Sequence, residues 1–131
     1  TLVLGKCFNQ SLEGISLPSG LQTLTFGDGF DQMLDGTTLP IGLRTLTVGR
    51  CFSRSLDGVS LPHGRQLPAL VFKNFEQSLR DKTLPSWLRT LTFGMAFNES
   101  LEGVTLPSGL QILAFGSEFN QSLAGVILPS G

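Results

Sequence analysis

The 131-residue chain contains no tyrosine, one tryptophan, one histidine and two cysteines, and only 15% of its residues are charged. Each scarcity excludes something. One histidine and two cysteines cannot complete the usual three- or four-ligand zinc site. Nine basic residues against ten acidic ones, a net charge of −1, leave no electrostatic footprint for nucleic acid or an anionic membrane surface. No apolar run approaches the roughly 20 residues that a membrane helix needs, so direct membrane insertion is not expected. What is plentiful is glycine (16), phenylalanine (10) and proline (7), in a chain that is 40% apolar and therefore reads as folded.

These residues recur at fixed places. Residues 21–42 read LQTLTFGDGFDQMLDGTTLPIG, residues 88–109 read LRTLTFGMAFNESLEGVTLPSG, and residues 43–64 and 110–131 follow the same phrase. The period is 22. Residues 1–20 form a copy lacking its first two positions, and residues 65–87 form a drifted copy of 23. One leucine column is Leu2, Leu24, Leu46, Leu70, Leu91 and Leu113; a phenylalanine column is Phe8, Phe30, Phe52, Phe75, Phe97 and Phe119. A unit this short cannot bury its apolar face alone, but a stack of such units can. The chain therefore reads as one repeat array with units 1–20, 21–42, 43–64, 65–87, 88–109 and 110–131. Because it starts and stops inside a repeat, it is expected to be a segment of a longer chain.

Each unit holds two short alternating segments, L-T-F and V-T-L in the consensus, which predict strands with one buried face. Twenty-two residues leave no room for a full helix as well. The expectation is an all-β parallel solenoid of about six coils with two short strands per coil. At about 4.8 Å per coil the stack spans roughly 29 Å. Prolines such as Pro18, Pro40 and Pro107 close the second segment, where a missing N–H does no harm. Two glycine columns, Gly5/Gly27/Gly49/Gly94/Gly116 and Gly14/Gly36/Gly58/Gly103/Gly125, are predicted to supply positive φ at corners.

The phrase F-N-Q-S-L…L-P-S-G-L-x-x-L-x-F-G resembles the FNIP repeat, a relative of the leucine-rich repeat, with serine where that repeat usually has proline, as in Phe97-Asn98-Glu99-Ser100-Leu101. V-T-L-P-S-G-L is also similar to BspA-like leucine-rich repeats. The resemblance covers the whole chain. It implies a solenoid of leucine-rich-repeat type that works as a protein interaction module, and it carries no catalytic residue to transfer.

The candidate chemistry is thin. His63, the sole histidine, falls in a turn position held elsewhere by Ser19, Ile41 or Ser108, and no repeat column supplies partners for nucleophilic catalysis. Cys7 and Cys51 share a column with Gly29 between them, so their Cα atoms are expected about 9.6 Å apart, too far for a disulfide. Free thiols point to a reducing compartment without fixing the localisation. Glu13, Asp35, Asp57 and Glu102 form an acidic column, interrupted by Arg80, with one carboxylate per rung and no second ligand column for a cation. Asn9, Asn98 and Asn120, in register with Asp31, Ser53 and Glu76, are expected to stabilise stacked corners through side-chain hydrogen bonds along the stack.

No metal, cofactor or catalytic residue is assigned, and an enzyme is not expected. The reading is a non-catalytic protein–protein interaction or scaffold module within a larger protein or complex. Its partners are proteins, and further repeats or a partner are expected to cover the terminal coils. Two candidate binding surfaces emerge. One is the drifted fourth repeat, where Arg65, Phe75, Lys82 and Trp87 combine types favoured as interface anchors. The other is the row Gln22, Arg44, Arg89 and Gln111, which varies beside the threonine rows while the buried columns stay fixed. The alternatives are a secreted or cell-surface adhesion protein, with formal sequons at Asn9, Asn98 and Asn120, and an ice-binding solenoid. The latter rests on Thr23/Thr25, Thr45/Thr47 and Thr90/Thr92, an array broken by Ala69, Val71, Ile112 and Ala114.

Overall fold

The structure is a computed structural model that describes residues 1–56, 59 and 69–130. Six strands form one parallel sheet in chain order: β1 (Leu2–Val3), β2 (Thr23–Thr25), β3 (Thr45–Val48), β4 (Ala69–Phe72), β5 (Thr90–Phe93) and β6 (Ile112–Ala114). Each pairs only with the strand one repeat before or after it. The register is that of the leucine column: Leu2 opposite Leu24, then Leu46, Leu70, Leu91 and Leu113. A one-residue slip would turn every core leucine to solvent, so the apolar alternation fixes this register. The architecture is the all-β parallel solenoid that the repeat predicts.

The interior is a set of stacked columns. Leu24, Leu46, Leu70 and Leu91 are fully buried, as are Phe30, Phe75 and Phe97. Burying one such side chain stabilises by about 1.5–3 kcal/mol, and the coils hold the rings in parallel stacks. Phe8, Phe30 and Phe52 follow one another at 6.2 and 6.1 Å between centroids, and Phe75, Phe97 and Phe119 at 6.2 and 6.0 Å. Within a coil the two rings of F-G-x-x-F lie 3.9 Å apart, as in Phe26–Phe30 and Phe93–Phe97.

The second segment of the coil does not behave as expected. Two strands per coil were predicted; the described residues form one per coil, and only Thr38 makes an isolated bridge on the other side. The reason lies in the turns. One turn ends on the first residue of that segment, where the Ile15 N–H donates to Leu12 O and the Val104 N–H to Leu101 O; the next begins at the proline, where the Leu21 N–H donates to Pro18 O and the Leu110 N–H to Pro107 O. Too few free amides remain for a ladder, and the coils stand apart. Clefts of about 460 Å³ and 220 Å³ open there between the first two coils and the last two. The side bearing the sheet is the tightly tied one.

The two glycine columns also divide. Gly14, Gly36, Gly103 and Gly125 have φ of +71° to +79°, at the third position of the L-x-G-V turn, as predicted. The column Gly27, Gly49 and Gly116 does not have positive φ. Its glycines are needed because a Cβ there would meet the carbonyl oxygen of the preceding coil's glycine at 2.4, 2.5 and 2.3 Å respectively. Close backbone approach between coils, and not turn conformation, selects glycine at these three.

The fourth repeat has one residue fewer between strand and corner: Lys73-Asn74 replaces the G-x-x that precedes the phenylalanine elsewhere. Asn74 closes the shortened turn with φ of +55°, a conformation that asparagine tolerates better than most residues. The ring pair of this coil tilts to 39° at 4.4 Å, and no ring contact joins Phe52 to Phe75 among the described residues. Polar side chains span that joint. Arg50 Nη2 lies 2.9 Å from Glu76 Oε2, Gln77 Nε2 donates to Arg50 O, and Lys82 Nζ donates to Ser53 O at 2.6 Å.

Candidate interaction surface

The corner after each phenylalanine is built by side chains acting on backbone. Asn9 Oδ1 accepts from the Asp31 N–H at 2.9 Å, Asp31 Oδ1 from the Ser53 N–H at 2.8 Å, and Asn98 Oδ1 from the Asn120 N–H at 2.8 Å. The expected ladder therefore exists, as side-chain oxygen to next-coil amide. Gln32 and Gln121 add a second donor to the same oxygens, of Asn9 and Asn98. A further device escaped the sequence reading: the Oγ atoms of Ser11, Ser78, Ser100 and Ser122 accept from the N–H two residues on. This serine turn performs locally what a proline would do by fixing φ. The signal was present in the serine column itself, broken only by Met33.

Glu13, Asp35 and Glu102 are exposed, and Asp57 lies outside the described residues. A cleft of about 410 Å³ lies beside Glu13, Asp31 and Asp35, but Arg54 sits among them, its Nε 3.3 Å from Asp31 Oδ1. Among the described residues no group of three His, Cys, Asp or Glu could hold a metal ion. Cys7 and Cys51 are both exposed and unpaired. His63 lies outside the described residues.

The two candidate surfaces fare differently. In the fourth repeat, Arg65 lies outside the described residues. Phe75 is 0% exposed, so it supports the corner from inside and cannot touch a partner. Lys82 is half-buried and spends its ammonium on the Ser53 carbonyl; Trp87 is half-buried with its ring against the core. Of the described members, Phe75, Lys82 and Trp87 do not form one exposed patch. Gln22, Arg44, Arg89 and Gln111, by contrast, are all exposed, each immediately before its strand. Their main chains are tied coil to coil: the Arg44 and Thr45 N–H groups donate to Gln22 O, and those of Gln111 and Ile112 to Arg89 O. Arg89 also donates from Nη1 to Gly109 O at 2.9 Å. Beside this row lie the outward residues of the sheet, among them Thr23/Thr25, Thr45/Thr47 and Thr90/Thr92, half-exposed and in register.

A single parallel sheet on one side of 22-residue coils, closed by turns and filled by leucine and phenylalanine columns, defines a solenoid of the leucine-rich-repeat class. The FNIP Repeat family model matches residues 1–29 and 97–131. The chain is an FNIP-type, leucine-rich-repeat-like solenoid. Over 95% of its length it is similar, at 31% identity and a TM-score of 0.53, to the crystal structure of CroV588, described as a novel circular leucine-rich-repeat protein. The chain spans 22% of the length of that structure. No curated protein matches the chain. No helix among the described residues is long and apolar enough to cross a membrane.

Proposed function

We propose that this array is a non-catalytic protein-interaction module and that its partner lies across the outward side of the sheet. One observation carries the reading: a row of exposed side chains that varies from coil to coil, Gln22, Arg44, Arg89 and Gln111, stands on main chain tied at every coil boundary described there. The buried columns can stay constant while this row is rewritten, which is how a repeat scaffold acquires a specific partner. Preordered backbone also lowers the entropic cost of docking.

The threonine rows beside it offer methyl and hydroxyl groups to the same partner. They do not favour ice binding, because Ala69, Val71, Ile112 and Ala114 interrupt the array. The first and last coils have half-exposed apolar faces, including Leu2 and Phe8 at one end and Leu113 and Phe119 at the other. Further repeats or a partner covering them belong to the same proposal.

A random dodecapeptide library displayed on phage and selected on the immobilised chain tests the reading. Selected peptides should lose binding to Thr47→Arg, which places a long side chain in the middle of the sheet, and keep it for Glu102→Arg on the corner. Peptides indifferent to Thr47→Arg would refute the sheet as the interaction surface.

A further inference from the structure

We infer that the segment recognised by the strand side is acidic and extended. This rests on the interaction reading above and gives the partner its chemistry. The sequence sets an acidic column against basic ones, Lys6/Arg50/Lys73 and Arg44/Arg89, and so suggests a surface of mixed sign. The fold separates the signs. Take each coil from the residue just before the strand to the residue before the corner phenylalanine. Five described cations fall there, Lys6, Arg44, Arg50, Lys73 and Arg89, against two carboxylates, Asp28 and Glu118. The remainder of the coils holds seven described carboxylates, Glu13 and Glu102 among them, against three cations. The strand side thus carries a net +3 and the corner side a net −4.

The local contacts show which of these charges stay free to meet a partner. Asp28 is half-buried and turns Oδ1 to the Arg50 N–H at 3.4 Å. Arg50 is ion-paired with the corner-side Glu76 at 2.9 Å, which leaves Lys6, Arg44, Lys73 and Arg89 as the strand-side cations, while on the corner side Arg54 and Lys82 are taken up by Asp31 and the Ser53 carbonyl. Arg44 and Arg89 flank one edge of the sheet; Lys6 and Lys73, both exposed, flank the other, just past the strands. No strand carries a carboxylate. Between the two cationic margins lie threonine, alanine and valine, with Ile112 at the last coil, so that over most of the strip a main chain can pass close. Six coils at about 4.8 Å span roughly 29 Å, the length of about eight or nine extended residues. A strip with uncharged floor and cationic margins fits a peptide whose carboxylates reach to both sides.

The experiment pairs the displayed library with fluorescence anisotropy of a labelled alternating Glu–Ser peptide. Binding is measured to the wild type, to Arg44→Glu/Arg89→Glu, to Lys6→Glu/Lys73→Glu, and to a corner control, Glu13→Lys/Glu102→Lys. Circular dichroism of each variant controls for folding. The proposal expects Asp- and Glu-rich peptides to be enriched. It expects the Glu–Ser peptide to bind about tenfold more weakly to each margin variant, an effect that fades with added salt. The corner control should stay within about twofold, well inside the range of neutral surface changes. Enrichment of neutral or basic peptides that still depend on Thr47 would overturn the acidic partner and leave the interaction reading standing. Peptides indifferent to every strand-side change would overturn both. Equal binding of a labelled oligothymidylate, or margin-dependent self-association in sedimentation velocity, would assign the face to nucleic acid or to a second copy and overturn the proposal.

Discussion

Replacing Thr37 by valine should stabilise the array. Thr37 is 2% exposed, and its Oγ1 is the one buried side-chain polar atom without a hydrogen-bond partner among the described residues. A buried hydroxyl left unpaired costs about 1–3 kcal/mol relative to its hydrated state, and a methyl buried in its place contributes about 0.8 kcal/mol. Valine has nearly the same shape, and Val59, Val104 and Val126 already occupy this column. The Thr37 N–H, which donates to Leu34 O, is retained. The net expectation is a gain of about 1 kcal/mol, or an increase in melting temperature of about 3–5 °C for a chain of this size. Thermal and urea unfolding followed by circular dichroism, at fixed protein concentration, would measure it; the urea midpoint should rise with an unchanged slope. Thr38→Val, one residue on and exposed, is the control and should stay within about 0.5 kcal/mol. An unchanged or lowered midpoint for Thr37→Val, or an equal rise for Thr38→Val, would refute the assignment of an unpaired hydroxyl.

Other substitutions probe other layers of the coil. Gly116→Ala should destabilise by more than about 2 kcal/mol or prevent folding, because its Cβ would sit 2.3 Å from Gly94 O, whereas Gly20→Ala, with nothing within 4 Å, should be near neutral; comparable melting temperatures for the two would contradict the close coil packing. Asn98→Ala should cost about 1–2 kcal/mol by orphaning the Asn120 amide. Asn98→Asp, which keeps an acceptor as Asp31 does, should recover most of that loss; a failure to recover would mean that the amide ladder is not what stabilises the corner. Met33→Ser should raise stability by about 0.5–1 kcal/mol by adding the serine turn that this coil lacks, and a drop in urea midpoint would argue against that turn's contribution.

Much of this fold was legible because each structural demand is written several times. The strand register follows the leucine column, and the ring stacks follow the phenylalanine column. The amide ladder could be anticipated from Asn9, Asp31 and Asn98 sharing a position. What misled was local pattern without hydrogen-bond accounting. V-x-L alternates as a strand does, but the turn closing at Ile15 or Val104 and the proline that follows leave it too few amides to form a ladder. The two glycine columns look alike in sequence, yet Gly14 is needed for its φ and Gly116 for the space it leaves. Phe75 carried an anchor-like identity but belongs to the corner-filling column, which is buried at every interior coil. The charge asymmetry was readable in principle. The columns of Lys6 and Lys73 and of Arg44 and Arg89 stand out in the sequence, but that both border the strands follows only once the strands are placed.

Amide hydrogen exchange, resolved residue by residue, tests the central claim most directly: that one ladder per coil makes a rigid side on which a variable row is displayed. Protection should recur with the 22-residue period at the strands β2 to β5 and at the amides of Asp31, Ser53 and Asn120, while residues 16–17 and 105–106 of the second segment exchange markedly faster. A second, equally protected run in each coil at those residues would contradict the account.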